Sequence, residues 1–138
     1  MNQIVTTFLI FIFPISLFAQ GAMPVNQKCA NKPNCVSSFD ERKDFFYPPL
    51  EGVEGPWEGL KNKIESNLKS FSKVKVHESK DNYLHLIVTT SIMKFKDDVY
   101  FWWNPQLKTL SMKSESRVGH WDIGANKKRL NRFVKNWN

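Results

Sequence analysis

Histidine and cysteine are scarce in this 138-residue chain, with three of the first and two of the second. A structural zinc site wants four such ligands at close spacing. Here His77, His85 and His120 are scattered and far from Cys29 and Cys35 in sequence, so no metal and no other cofactor is expected. The sequence G-x-S-x-G is missing, which removes the nucleophile elbow of the α/β-hydrolases. No apolar run reaches the roughly 18–20 residues that cross a bilayer comfortably. Internal repeats and low-complexity tracts are lacking too, and with them a repeat architecture.

The longest apolar run covers residues 4–13 and is broken only by Thr6 and Thr7; residues 14–19 then lead through Pro14 to the small residue Ala19. This is the h-region and cleavage zone of an exported protein. A signal segment over residues 1–19 is expected, cleaved after Ala19 or Gly21. No Lys or Arg precedes the run, so its positive charge is the amino terminus alone, and an uncleaved anchor is the alternative. The first cysteine is Cys29, well past the cleavage zone, which argues against a lipoprotein. Residues 20–138, about 119 of them, suit one domain with one core. The expected location is extracytoplasmic, periplasmic or secreted.

All the charge lies in this mature part: 20 Lys and Arg against 13 Asp and Glu give +7. Such a balance favours anionic surfaces, whether phospholipid, phosphate-bearing glycan or nucleic acid. Because the basic residues are dispersed and the protein is exported, nucleic acid is not expected. The partner to look for is a small anionic ligand or an envelope component. Association with a membrane surface is compatible with the charge, and the chain itself is expected to be a monomer.

Cys29 and Cys35 have five residues between them. In an oxidising compartment an even count at short range reads as a disulfide; closing so small a loop contributes about 2 kcal/mol in the chain-entropy model. A nucleophilic Cys35 would need a free thiol and a nearby base, and neither is indicated.

Residues 39–55 carry Pro48, Pro49 and two glycines and read as an extended loop that wraps the domain. From Pro56 onward Trp57, Leu60, Ile64, Leu68 and Phe71 recur at three- and four-residue spacings, which predicts an amphipathic helix with a proline at its start. The period then drops to two. Val74 and Val76 alternate with lysines in a first strand that ends at the turn-forming residues 79–82. A second strand runs from Tyr83 to Ile92 or a little beyond, a third over residues 98–103, and a fourth over residues 109–117. Short connections favour an antiparallel meander. A last helix over residues 126–136 places Leu130, Phe133, Val134 and Trp137 on one stripe. The expected fold is therefore α+β and two-layered: a four-stranded antiparallel meander, two amphipathic helices on one face, and an irregular N-terminal arm.

Residues 114–129 are the most informative stretch, with Gly119, Gly124, Asp122, Asn126, Arg117 and Arg129 close together. Glycines permit tight turns, Asp122 or Asn126 can cap the following helix, and helix-start amides beside Arg117 and Arg129 suit an anion. The competing reading is an ion-pair network that only holds the loop to the sheet. Asp97 and Asp98 are adjacent, so on a strand they point to opposite faces and cannot flank one substrate as an acid/base pair. His77 and His85 occupy polar strand positions and read as surface or internally satisfied histidines.

Four segments, Asn34-Cys35-Val36-Ser37-Ser38, Pro48-Pro49-Leu50 before the Trp57 helix, Phe95-Lys96-Asp97-Asp98-Val99, and residues 114–129, stand in the order found in the domain-of-unknown-function 1499 family. The chain resembles that family over residues 29–133. The resemblance implies a bacterial and plastid-type lineage, often exported or membrane-associated, and no established activity. Tyr100 replaces the acidic residue typical of relatives after the Asp-Asp-Val triplet, His120-Trp121 replaces Tyr-Ser, and Lys127 replaces an arginine and its bidentate fork. A mechanism needing that acid or that hydroxyl is therefore not supported in this chain.

Two functions from different classes follow. The first is a non-catalytic extracytoplasmic binding or envelope-associated module, its pocket built by Ser37, Ser38, Asp97, Asp98, Arg117, Asp122, Asn126 and Arg129. The second is a hydrolase-like enzyme using Ser37, His120 and a carboxylate, with Arg117 nearby; a purely structural envelope protein is a further alternative.

Overall fold

The computed structural model describes residues 27–138, so the expected signal segment and its cleavage point lie outside the described residues. Helix α1 (Trp57–Lys69) follows Pro56, whose backbone is extended, and buries Leu60, Ile64, Asn67 and Leu68, the stripe that helical spacing dictates. Strands β3 (Lys73–Lys80), β4 (Tyr83–Thr89), β5 (Lys96–Asn104) and β6 (Thr109–Ser116) come next, and α2 (Ala125–Lys135) closes the chain. These four strands pair antiparallel in sequence order. Asn82 and Lys108 take left-handed backbone at φ 60° and 54° in the two outer hairpins. Asn accepts that region readily.

The sheet has six strands rather than four. The N-terminal arm, expected to be irregular, contributes β1 (Cys35–Ser37) and β2 (Leu50–Glu51), and both pair antiparallel with β6. The physical reason is the free edge of β6. A meander leaves one row of backbone N–H and C=O groups unpaired on each outer strand. Here Cys35 to Ser37 run opposite Glu115 to Lys113, Ser38 donates its amide to the Met112 carbonyl and its hydroxyl accepts the Met112 amide, and Leu50 and Glu51 sit opposite Leu110 and Thr109. The arm thereby completes the edge along nearly all of β6. The other edge, β3, is managed differently: its register slips between Val76 and Glu78, a bulge at His77, and it carries Lys73, Lys75 and Lys80. Both devices discourage pairing with other chains.

One face of the sheet forms the core. Leu84, Leu86 and Val88 of β4, Val99 and Phe101 of β5, and Leu110 and Met112 of β6 cluster with Leu60, Ile64 and Leu68 of α1, Leu130 and Phe133 of α2, and Trp137 just past it. Val36 and Tyr47 of the arm join them. The helices are tied to each other by Asn67, whose Nδ2 donates to the Phe133 carbonyl at 2.9 Å.

Cys29 and Cys35 are joined by a disulfide, with Cα atoms 5.7 Å apart. Buried Asp40 locks the same arm. It accepts the Cys29 amide at 3.0 Å and the Arg42 guanidinium at 2.8 and 2.6 Å. The Arg42 hydrogen bonds hold its carboxyl well below the usual carboxylate range, against the opposing effect of burial. Arg42 also donates to the Cys29 carbonyl at 2.7 Å.

Phe133 is fully buried, with its ring 5.0 Å from that of Phe101. Phe133→Ala is expected to lower stability by about 3–5 kcal/mol, measured by urea unfolding. Reducing the disulfide should cost about 2 kcal/mol and raise amide exchange in residues 29–42, with little change in β4 and β5.

Candidate functional site

Adjacent positions on a strand face opposite ways, and Asp97 and Asp98 of β5 do so. Asp97 lies on the helix side and takes a hydrogen bond from Arg129 Nη2 of α2; both side chains are almost wholly buried. Arg129 Nη1 donates to Ser114 Oγ at 2.9 Å and to Asn126 Oδ1 at 2.7 Å. Asn126, with no exposed surface, is the hub. Its Nδ2 reaches the Asn34 carbonyl, Ser116 Oγ and Asp122 Oδ2 at 2.9, 2.9 and 2.8 Å. Asn34 in turn donates to the Gly119 carbonyl at 2.7 Å. One polar knot therefore joins the arm, β5, β6, the loop of residues 117–124 and α2.

Asp122 shapes the start of α2. Its Oδ1 accepts the Gly124 amide, its Oδ2 the Asn126 amide, both at 2.9 Å, and its carbonyl accepts the Ala125 amide at 3.0 Å. The helix-start amides proposed for an external anion are thus occupied by the chain's own carboxylate. Ile123 and Gly124 between them are both left-handed, at φ 54° and 70°. Glycine takes that region freely, whereas a β-branched residue there is an outlier.

Asp98 lies on the opposite face of the sheet. Arg117 binds it through two bonds of 2.7 Å, and His85 Nε2 is 2.6 Å from its Oδ1. Burial pushes the Asp98 pKa up, but the hydrogen bonds from His85 and Arg117 outweigh it and leave the carboxyl at about 2. Rings pack along this face: His77 edge-on to His85, His85 stacked on Tyr100, Tyr100 stacked on Trp102, and Phe39 edge-on to Trp102. Burial raises the phenol of Tyr83 to about 12 and that of Tyr100 further. Tyr83 Oη and Trp102 Nε1 are buried without a hydrogen bond among the described residues.

The two serines are committed elsewhere. Ser37 Oγ donates to the Gln27 carbonyl and accepts the Phe39 amide, and Ser38 Oγ accepts from Met112 as above. His120 is exposed and packs edge-on against Trp121. No hydrogen bond among the described residues joins Ser37 or Ser38 to His120. Nor does any group of three or more His, Cys, Asp or Glu among them have the arrangement to hold a metal ion. The site residues expected from sequence therefore fall into three places: Asp97, Asp122, Asn126 and Arg129 in the knot, Asp98 and Arg117 on the far face, and Ser37 and Ser38 in the arm.

Two clefts flank the loop of residues 117–124. One, of about 570 Å³, lies between that loop and the arm and is lined by Pro33, Cys35, Phe45, Trp121, Ile123 and Lys127 among others. The second, of about 540 Å³, lies between that loop and residues 90–95 and is lined by Ile92, Met93, Phe95, Val118, Trp121 and Ile123 among others. Sequence reading missed the second wall. It extended the second strand to Ile92, whereas β4 ends at Thr89; the signal was the apolar Ile92, Met93 and Phe95 persisting where a polar turn belongs. It also did not foresee that His85 completes the Asp98 pair, because the two stand diagonally across β4 and β5, offset by two residues on the same face.

Arg129→Met, which leaves Asp97 buried and unpaired, should lower stability by about 3–5 kcal/mol, and adding Asp97→Asn should recover part of the loss in a double-mutant cycle read by urea unfolding. Asp98 has its pKa depressed on folding, from 3.8 to about 2. Its contribution is complete above pH ~4 and is lost as pH falls through the folded value, on the order of 2 kcal/mol in all. Acid unfolding between pH ~4 and ~2 should be less steep in Asp98→Asn.

No curated protein and no solved structure matches the chain. A family model described as protein of unknown function (DUF1499) matches residues 27–136, which takes in the arm with its disulfide, the six-stranded sheet and both sides of the polar knot. On that match the chain belongs to the DUF1499 family.

Proposed function

We propose that this chain is a non-catalytic, extracytoplasmic, envelope-associated binding module whose ligand site is the cleft between the arm and the loop of residues 117–124. The observation that carries the reading is a division of labour. Arg129, Asn126, Asp122 and Asp97 are consumed by one another, while Trp121 and Ile123 stand exposed above the clefts this knot supports. Polar groups that saturate each other hold a shape and leave little for chemistry. Among the described residues no hydrogen bond joins Ser37 or Ser38 to a histidine or carboxylate, so the hydrolase alternative gains no observation.

Concave, mostly apolar sites with a few placed polar groups suit small amphiphiles. The cleft beside the arm has apolar walls from Pro33, Phe45, Trp121 and Ile123, with a cation, Lys127, on the loop side of its margin and a carboxylate, Asp44, on the arm side. It fits a single acyl or isoprenoid-type chain whose negative headgroup meets Lys127, away from Asp44. The disulfide that fixes one wall belongs to an oxidising compartment, which supports the extracytoplasmic setting. Among the described residues no helix is long and apolar enough to cross a membrane.

Native mass spectrometry of the full chain with lysophosphatidylglycerol below its micelle concentration checks this. A one-to-one complex is expected, weakened about tenfold by Phe45→Ala on loss of the aromatic wall. Absence of any complex, or a complex indifferent to Phe45→Ala and Trp121→Ala, would rule the cleft out.

A further inference from the structure

At one end of the sheet two neighbouring loops hold apolar side chains out into solvent. Ile92, Met93 and Phe95, before β5, are 89%, 65% and 46% exposed; Val118, Trp121 and Ile123, before α2, are 65%, 72% and 87% exposed. The two groups face each other across the second cleft. Scattered exposed apolar residues are ordinary, but six gathered around one cleft are not. Ile123 is the telling one. Its backbone sits at φ 54°, a conformation unfavourable for a β-branched residue, and Asp122 secures it by bonding the amides on its far side. The loop sustains strain in order to point an isoleucine outward, and strain of that kind collects at functional surfaces.

The same end is cationic. Lys94, Lys96, Arg117, Lys127 and Lys128 are all exposed around the two loops. Arg117 is engaged by Asp98 and Lys128 reaches the Ile123 carbonyl, whereas Lys94, Lys96 and Lys127 form no ion pair with a described residue. Of the carboxylates nearby, Asp97 and Asp98 are each paired with an arginine and Asp122 is bonded to the loop's own amides; only Asp44, across the loop, lies open. Protruding Trp, Ile and Met interleaved with lysines match a membrane–water interface, where apolar tips enter the acyl boundary and lysines meet lipid phosphates. A protein interface core is depleted in lysine.

We propose that this end docks on an anionic phospholipid bilayer, inserting Ile92, Met93, Trp121 and Ile123 while Lys94, Lys96 and Lys127 contact headgroups. The proposal rests on the envelope-associated reading above and adds the docking surface and its lipid class. It does not need the cleft beside the arm.

The full chain is tested by cosedimentation with vesicles of phosphatidylcholine alone and of phosphatidylcholine with phosphatidylglycerol. Binding is expected to require phosphatidylglycerol and to weaken with salt. Ile92→Asp with Ile123→Asp should weaken it at least tenfold, and Lys94→Gln with Lys96→Gln about fivefold per charge. Phe45→Ala should leave it unchanged, so loss of the amphiphile complex in Phe45→Ala and loss of docking in the loop variants report separately. Because every variant keeps the apolar residues 4–13, brominated-acyl phosphatidylglycerol provides a second readout: tryptophan quenching should largely vanish in Trp121→Phe. Quenching indifferent to Trp121→Phe, or binding equal on both vesicle types and indifferent to the loop substitutions, overturns the proposal. So does a lipid-free dimer that Ile92→Asp with Ile123→Asp converts to monomer, since the tips would then seat on a second copy.

Discussion

The buried pair between Asp97 and Arg129 is the constraint around which the rest is arranged. A carboxylate and a guanidinium removed from water are tolerated only when both are fully hydrogen-bonded. Arg129 meets that demand by reaching Ser114 and Asn126 as well as Asp97, and Asn126 is oriented by Asn34, Ser116 and Asp122. The arm and β5 are thereby obliged to converge on the continuous stretch formed by β6, the loop of residues 117–124 and α2. The arm cannot leave β6 without breaking the bonds that Asn34 makes to Asn126 and Gly119, and the loop of residues 117–124 cannot relax without freeing Asp122. The hydrophobic core fixes the helices on the sheet and takes in Val36, Tyr47 and Val53 of the arm, but it leaves the loop of residues 117–124 undetermined.

The opposite face solves a different problem with similar parts. Asp98 is held by Arg117 and His85, and the packed rings from His77 to Trp102 run beside it. A sheet face without helices over it would ordinarily be polar and wet. Here aromatic bodies exclude water, and it is the bonds from His85 and Arg117 that keep the carboxyl's pKa low in spite of that burial. Two aspartates one residue apart thus anchor two separate networks, and the strand's alternation is what divides them.

The α+β class, both helices and the four long strands were legible because their apolar periods are clean: Leu60, Ile64 and Leu68 for one helix, Leu84, Leu86 and Val88 for one strand. The arm's two strands were not. Three residues of β1 and two of β2 carry no periodicity to detect, and their pairing is decided by the unmet backbone groups of β6, a property of the assembled sheet. Among the motif residues, the alternation rule separated Asp97 from Asp98 correctly, but no local rule says which cation each receives. Arg129 was visible as a charge near the motif; that it is buried against Ser114 follows only once α2 lies over β6. Ile92, Met93 and Phe95 resembled the continuation of a strand, since a loop that turns apolar side chains to solvent has no signature in propensity.

The arm's pairing with β6 also bears on how copies of this protein could entangle. Strand β6 is completed by a short segment that belongs to the same chain but reaches it from far upstream, and the contact is backbone to backbone with one disulfide-closed loop beside it. Such an arrangement is reciprocal in principle: an arm released from its own sheet meets the same unsatisfied edge on any other copy. Keeping the arm at home is therefore what separates a closed fold from strand exchange, and the Asn34 links to Asn126 and Gly119 and the burial of Val36 and Tyr47 in the core add to the ladder bonds of β1 in enforcing it.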